Sequence, residues 1–165
     1  MQAEKLIAAE AVMALYLFGA AIFDMKSRKL PVWYLFMGII PVAVYITSGF
    51  LNTGFYVSAP ADAAKEVAEA LIPNIAGLGI GLIFVLISKA VNERIGMGDA
   101  VIFCICGAAA GYGDLMIIII SAFLLGSVYS VAMLATGKLT RKSSFAFVPF
   151  IFLGFIMTAV LHATQ

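Results

Sequence analysis

Charge is what this sequence has least of. Only 12% of its 165 residues are Asp, Glu, Lys or Arg, while 64% are hydrophobic. A soluble domain carries roughly 25% charged residues, so the composition excludes one and points to an integral membrane protein. Ten basic and nine acidic residues leave a net charge of +1, with no basic excess to hold nucleic acid. Histidine is nearly absent. His162 stands near the C-terminus without clustered ligands and without a Ser or Cys partner on its side of the membrane, so no metal or catalytic role is expected of it. The two cysteines, Cys104 and Cys106, lie two apart on an expected helix and point to different faces, which excludes a mutual disulfide and a CxxC metal site. Nor does any low-complexity tract or linker divide the chain, so residues 1–165 are expected to form one compact helical domain.

What is present is hydrocarbon in long runs. Six apolar segments, roughly 6–23, 32–50, 71–90, 100–112, 115–136 and 145–163, predict an all-α polytopic protein with six transmembrane helices. Lys26, Arg28, Lys29, Lys89, Arg94, Lys138, Arg141 and Lys142 follow segments one, three and five; only Lys5 and Lys65 fall on the other side. The positive-inside rule makes the first side cytoplasmic and puts both termini outside. The apolar stretch ending at Phe23 precedes its basic cluster instead of following one, so it reads as a retained helix and not as a signal peptide. Between segments two and three, "LNTGFYVSAPADAAKEVAEA" reads as a short amphipathic helix on the outer surface, with Asp62, Glu66 and Glu69 on a solvated face.

Small residues and prolines shape these segments. Gly77 and Gly81, like Gly107 and Gly111, are four apart, a spacing that lets helix backbones approach closely in lipid. Pro41, Pro73 and Pro149 inside apolar runs predict kinked or broken helices. The fourth segment has room for a helix of only ~20 Å against a hydrocarbon core of ~30 Å. Its start is therefore expected below the cytoplasmic surface, the preceding Gly-rich turn dipping into a wet recess beside Asp99.

An ionisable group at such a place is a functional candidate. Asp24 ends the first segment and Asp99 opens the fourth, so the charge pattern puts both at the cytoplasmic end of the bundle. Two carboxylates sharing a partly desolvated pocket hold one proton between them and suit peptide hydrolysis, one taking a proton from water while the other serves the scissile carbonyl. The bland alternatives are that Asp24 belongs to a mixed interfacial charge cluster with Lys26, Arg28 and Lys29, and that Asp99 caps a helix. Gly96 and Gly98 are expected to adopt conformations closed to other residues and to leave room for a substrate strand. Glu10 lies about a turn inside the outer end of segment one, at the interface or facing another helix, and Asp114 is expected to stay solvated at the start of segment five.

Three stretches, "DMKSRKLP" at 24–31, "GMGD" at 96–99 and "FVPFIFLG" at 147–154, resemble the signatures of the type IV prepilin peptidases, membrane aspartyl proteases of the GxGD class. The resemblance spans nearly the whole chain, with the signatures in order. It implies that Asp24 and Asp99 are catalytic and that no metal or organic cofactor is used. It further implies that prepilin-like membrane precursors are cleaved on the cytoplasmic side of the inner membrane, after a glycine between a basic leader and a hydrophobic helix. Arg28, Lys29 and Pro149 are then candidate substrate contacts. Val32 and Val101 depart from the pattern, standing where such proteins usually carry Asn and Lys. The N-terminal domain with which larger members methylate the new amino terminus has no counterpart in these residues, so the resemblance leads one to expect a cleavage-only member similar to those serving Flp/Tad-type pili or pseudopili. Rival readings are a GxGD protease for other membrane substrates, and a small transporter or assembly subunit without proteolysis.

Overall fold

The computed structural model describes residues 2–27, 30–52, 60–90, 96–136 and 146–164. All of its elements are helical: α1 (Gln2–Ser27), α2 (Val32–Met37), α3 (Ile39–Asn52), α4 (Pro60–Ala90), α5 (Met97–Ala135) and α6 (Val148–Ala163). Four stretches are long and apolar enough to cross a membrane: Ile7–Ser27, Val32–Gly49, Val67–Ala90 and Met97–Ala135. Val148–Ala163 is apolar but shorter. Large apolar side chains such as Leu15, Phe36, Ile75, Leu86, Ile120 and Val131 face outward, a surface suited to lipid.

At 39 residues α5 would measure ~58 Å if straight, about twice the hydrocarbon thickness. It is not straight. Gly111, the one described glycine with positive φ, sits at φ 84°, ψ 176°, a conformation other residues rarely adopt. The chain folds back there. The rings of Phe103 and Phe123, ~30 Å apart along a straight helix, have centroids 6.5 Å apart, and Leu115 Cδ2 lies 2.9 Å from where a Gly107 β-carbon would sit. So α5 is a hairpin of two arms, 97–110 and 112–135, and its break falls one residue before the expected end of segment four.

Breaking a helix inside a membrane strands its last carbonyls. Asn74 of α4 meets two of them, its Nδ2 donating to Ala108 O at 2.8 Å and Ala109 O at 2.7 Å. Pro73 packs on Gly111 itself. The close approach expected of the small residues occurs here: a β-carbon on Gly77 would strike the Gly107 carbonyl, and one on Gly81 would lie 2.5 Å from Cys104 Cα. Thus α4 runs antiparallel to the first arm, 73 beside 111 and 81 beside 104. The core lies where α1, both arms and α6 meet, with Met13, Leu17, Ile102, Cys106, Leu115, Ile118 and Ile151 fully buried.

Two local expectations change, for the outer helix and for Pro149, and one, the broken second segment, is met. The short outer helix is not separate: from Pro60 it runs continuously through Pro73 into α4, with an exposed Lys65–Glu69 ion pair at 3.9 Å. The second apolar segment breaks at Gly38, between α2 and α3, because Pro41 has no N–H and its ring crowds the carbonyl four residues back. Pro149 kinks nothing. It stands in the first turn of α6, where a missing N–H costs little.

Replacing Asn74 by Leu keeps the volume but strands both carbonyls. Thermal unfolding in detergent is expected to show a loss of about 1–3 kcal/mol.

Candidate active site

Asp24 lies in the last turn of α1, where the apolar run gives way to Lys26, and its side chain is nonetheless buried. A buried carboxylate must be hydrogen-bonded. The donor is the backbone N–H of Val148, 3.1 Å from Asp24 Oδ2 and 124 residues away in sequence. Local chemistry makes that amide available. Val148 is the first residue of α6, Pro149 has no N–H to offer, the Phe150 N–H is used on Phe147 O at 2.9 Å, and no side chain of α6 caps its own terminus. Asp24 therefore caps α6 from another helix, at the positive end of its dipole.

Asp99 is in the first turn of α5 and half-buried. The turn starts on Gly96, whose carbonyl accepts from the Asp99 N–H at 3.1 Å and the Ala100 N–H at 3.3 Å. The Asp99 carboxylate does not cap this terminus, for Gly96 is the cap residue and makes no side-chain bond. It faces Asp24 closely enough for the two charges to interact. Acids from α1 and α5 thus lie at the same end of the bundle, near enough for their charges to interact.

The flanking glycines are there for space. Gly96 has φ −54° and ψ 115°, and neither it nor Gly98 has positive φ, so the expected special conformations are not adopted. A β-carbon on Gly96 would come 2.7 Å from Asp99 Oδ2, and one on Gly98 2.9 Å from Leu30 Cδ1. Leu30 closes over Gly98 and leads through Pro31, the N-cap of α2, into Trp33 and Tyr34. Their rings meet Phe23, the neighbour of Asp24, with centroids 6.1 Å and 5.1 Å away, and Tyr34 Oη donates to Tyr16 O at 2.8 Å. This aromatic clasp fixes α2 against the end of α1. Arg28 and Lys29 lie outside the described residues. Of the two departures from the family pattern, Val32 is exposed on α2 and Val101 packs against the core.

The opposite end holds a polar cluster that the sequence did not lead one to expect. His162 Nδ1 is 3.1 Å from Glu10 Oε1 and its Nε2 is 3.2 Å from Asp114 Oδ1. His162 is therefore not alone, Asp114 is held instead of freely solvated, and Glu10 faces another helix. Helical phase brings the three together from α1, α5 and α6, which distance along the chain conceals. A neutral imidazole has a single N–H, so facing two carboxylates this ring needs both protons, or a protonated acid, to make both bonds.

Two outcomes follow from this geometry. Asp24→Asn keeps an oxygen for the Val148 amide, whereas Asp24→Ala removes it. Thermal unfolding is expected to leave the Asn variant near wild type and to cost the Ala variant about 1 kcal/mol. At the other end Glu10 and Asp114 favour the protonated ring, so the folded state holds a proton that the unfolded chain releases more readily, and stability should fall as pH rises above the ordinary histidine value of about 6.5. Glu10 and Asp114 are the titratable groups paired with the ring, with Tyr45 of α3 near both acids, and His162→Gln is expected to flatten that slope.

The sequence model of the type IV leader peptidase family matches residues 11–131, a stretch that holds Asp24, Gly96, Gly98 and Asp99. The 147–154 signature lies beyond it. No curated protein matches the chain, and no solved structure matches it. The match covers well over half of a helical, lipid-facing chain whose two motif acids converge, and on that ground the chain belongs to the type IV leader peptidase family.

Proposed function

We propose that this chain is an aspartyl endopeptidase of the inner membrane that removes the leader of type IV prepilin-like precursors, Flp/Tad-type pilins or pseudopilins, at the cytoplasmic face. One observation carries the reading: Asp24 and Asp99, far apart in sequence, meet at one end of the bundle within reach of each other's charge. Family membership supports peptide hydrolysis as the chemistry.

Two acids of this kind divide the work. One carboxylate takes a proton from water, the water oxygen attacks the scissile carbonyl, and the other carboxyl gives its proton to the carbonyl oxygen. Collapse of the tetrahedral diol breaks the C–N bond, with a proton passing to the leaving amine. The pair ends with one shared proton, as it began.

Topology fits the substrate. In this reading the two arms of α5 are separate crossings and α6 is the sixth, with both termini outside. The first arm, 97–110, measures ~21 Å, shorter than the hydrocarbon core, so its start and Asp99 lie in a recess below the surface. A precursor whose apolar helix rests in the bilayer presents its leader junction at that depth. Lys26 and Lys89 stand at the same end of the bundle and, with Arg28 and Lys29, hold that end in the cytoplasm.

Membranes containing the Asp24→Asn or Asp99→Asn variant should leave co-expressed prepilin uncut at wild-type enzyme levels, read by mass analysis of the precursor's amino terminus. Substantial cleavage by either variant overturns the assignment. Single cysteines at 24 and 99, with Cys104 and Cys106 replaced by alanine, should cross-link to each other.

A further inference from the structure

The segment Phe147–Phe150 has no side chain that can donate, accept or carry a proton, yet it abuts Asp24. The geometry points to a role carried by one backbone group: the Val148 N–H is a positioning group for hydrolysis, binding Asp24 Oδ2 and so leaving Oδ1 as the oxygen that works with Asp99 and the attacking water. This rests on the proteolytic reading above and goes beyond it by naming what holds the reactive acid in place.

Three features make this more than a helix cap. First, Asp24 is buried, and among the described residues the Val148 amide is the only hydrogen-bond donor given to its carboxylate, at 3.1 Å. A fixed partner on one oxygen restrains the rotation of the carboxylate, and catalytic groups must be held to within about half an ångström. Second, the donor is itself immobilised. Val148 is fully buried, Pro149 locks φ at the next position, and α6 packs on α1 along its length, with a second tie between His162 and Glu10. Third, the amide is singled out, since Pro149 has no N–H and that of Phe150 is engaged on Phe147. A second donor beside it would compete for the other carboxylate oxygen; proline at 149 prevents that.

Proline at 148 would delete the N–H, but the residue before a proline avoids helical backbone, and Phe147 sits at φ −100°, ψ −27°. An ester is cleaner. Installing 2-hydroxyisovaleric acid at position 148 removes the N–H and weakens the Phe147 carbonyl as an acceptor for Phe150, and the same unit at Val160, an exposed position late in α6, is the control for a lost N–H and a weakened carbonyl in this helix. Full-length enzyme in detergent–lipid micelles would be assayed on a purified prepilin. The 148 ester is expected to keep KM and lose about 10- to 100-fold in kcat, the usual cost of removing a group that orients a reacting one. The 160 ester is expected to keep both.

A 148 ester with wild-type kcat, or with no greater loss than the 160 ester, overturns the inference while leaving the proteolytic reading intact, provided Asp24→Asn is inactive in the same assay. Cleavage by Asp24→Asn would instead overturn both. Hydrogen exchange reads the contact without any assay or ester. The Val148 amide should exchange faster in Asp24→Ala than in wild type and stay protected in Asp24→Asn, and equal exchange in all three also overturns the inference.

Discussion

A carboxylate on α1 ends the first turn of α6, and much of the molecule is arranged around that contact. Lipid offers no hydrogen bonds, so a polar group left over at a helix end must find a protein partner or drag water with it. Asp24 meets the need at one end of the α1–α6 pair, Glu10 through His162 at the other. The two ties are fourteen residues apart on each helix, ~21 Å along both axes. Equal spacing on antiparallel helices fixes their register. A shift of one residue would break both contacts and leave buried polar groups unpaired, which makes the pairing specific where apolar packing alone would tolerate sliding.

With α1 and α6 set, the position of Asp99 depends on the α5 hairpin. Its first arm is short because Gly111 turns the chain, and the turn survives at depth because Asn74 takes the released carbonyls and Pro73 fills the outside of the bend. Gly77 and Gly81 then let α4 lie against the arm at backbone distance. Close glycine packing replaces the hydrophobic force that lipid cannot supply between helices. Asp99 is delivered by a rigid sequence of contacts running from the far end of the molecule, and Gly96 leaves its carboxylate the space that any side chain would take.

The apolar runs, the glycine spacing and the placing of Asp24 and Asp99 at one end of the bundle were legible in the sequence because each follows from composition or from which end of a segment a residue occupies. The break at Gly111 was legible as the end of an undersized segment at Tyr112. Phase was not. Whether Glu10, Asp114 and His162 turn toward one another depends on rotation about three helix axes, and on lipid-exposed helices apolar residues cover every face, so the pattern that would reveal rotation is erased. The break in the second segment was legible from Pro41, but not its place, because a proline acts on the turn before it and the break falls at Gly38. The Val148 amide had no signal of its own, being backbone; the only pointer was a proline following it at a helix start. For Gly96 and Gly98, expected both to adopt special conformations and to leave room, only the room is found, and it is bordered by Asp99 Oδ2 and Leu30.

The two ends of α1 also separate what is structural from what is reactive. Glu10 and Asp114 share an imidazole between them, so their charge is countered and their proton is held by three groups on three helices. That arrangement is useful as a fastening and poor at chemistry, since moving its proton breaks the bonds that hold the helices. At the other end acid faces acid, and among the described residues neither Asp24 nor Asp99 has an ion-pair partner. In the proposed reaction these two carboxylates pass a proton without dismantling the bundle, because the Val148 contact needs only a lone pair on Oδ2 in either protonation state. The same residue type thus serves as a bolt where a base is interposed and as a proton carrier where none is, and the difference is set by which helix terminus each acid meets.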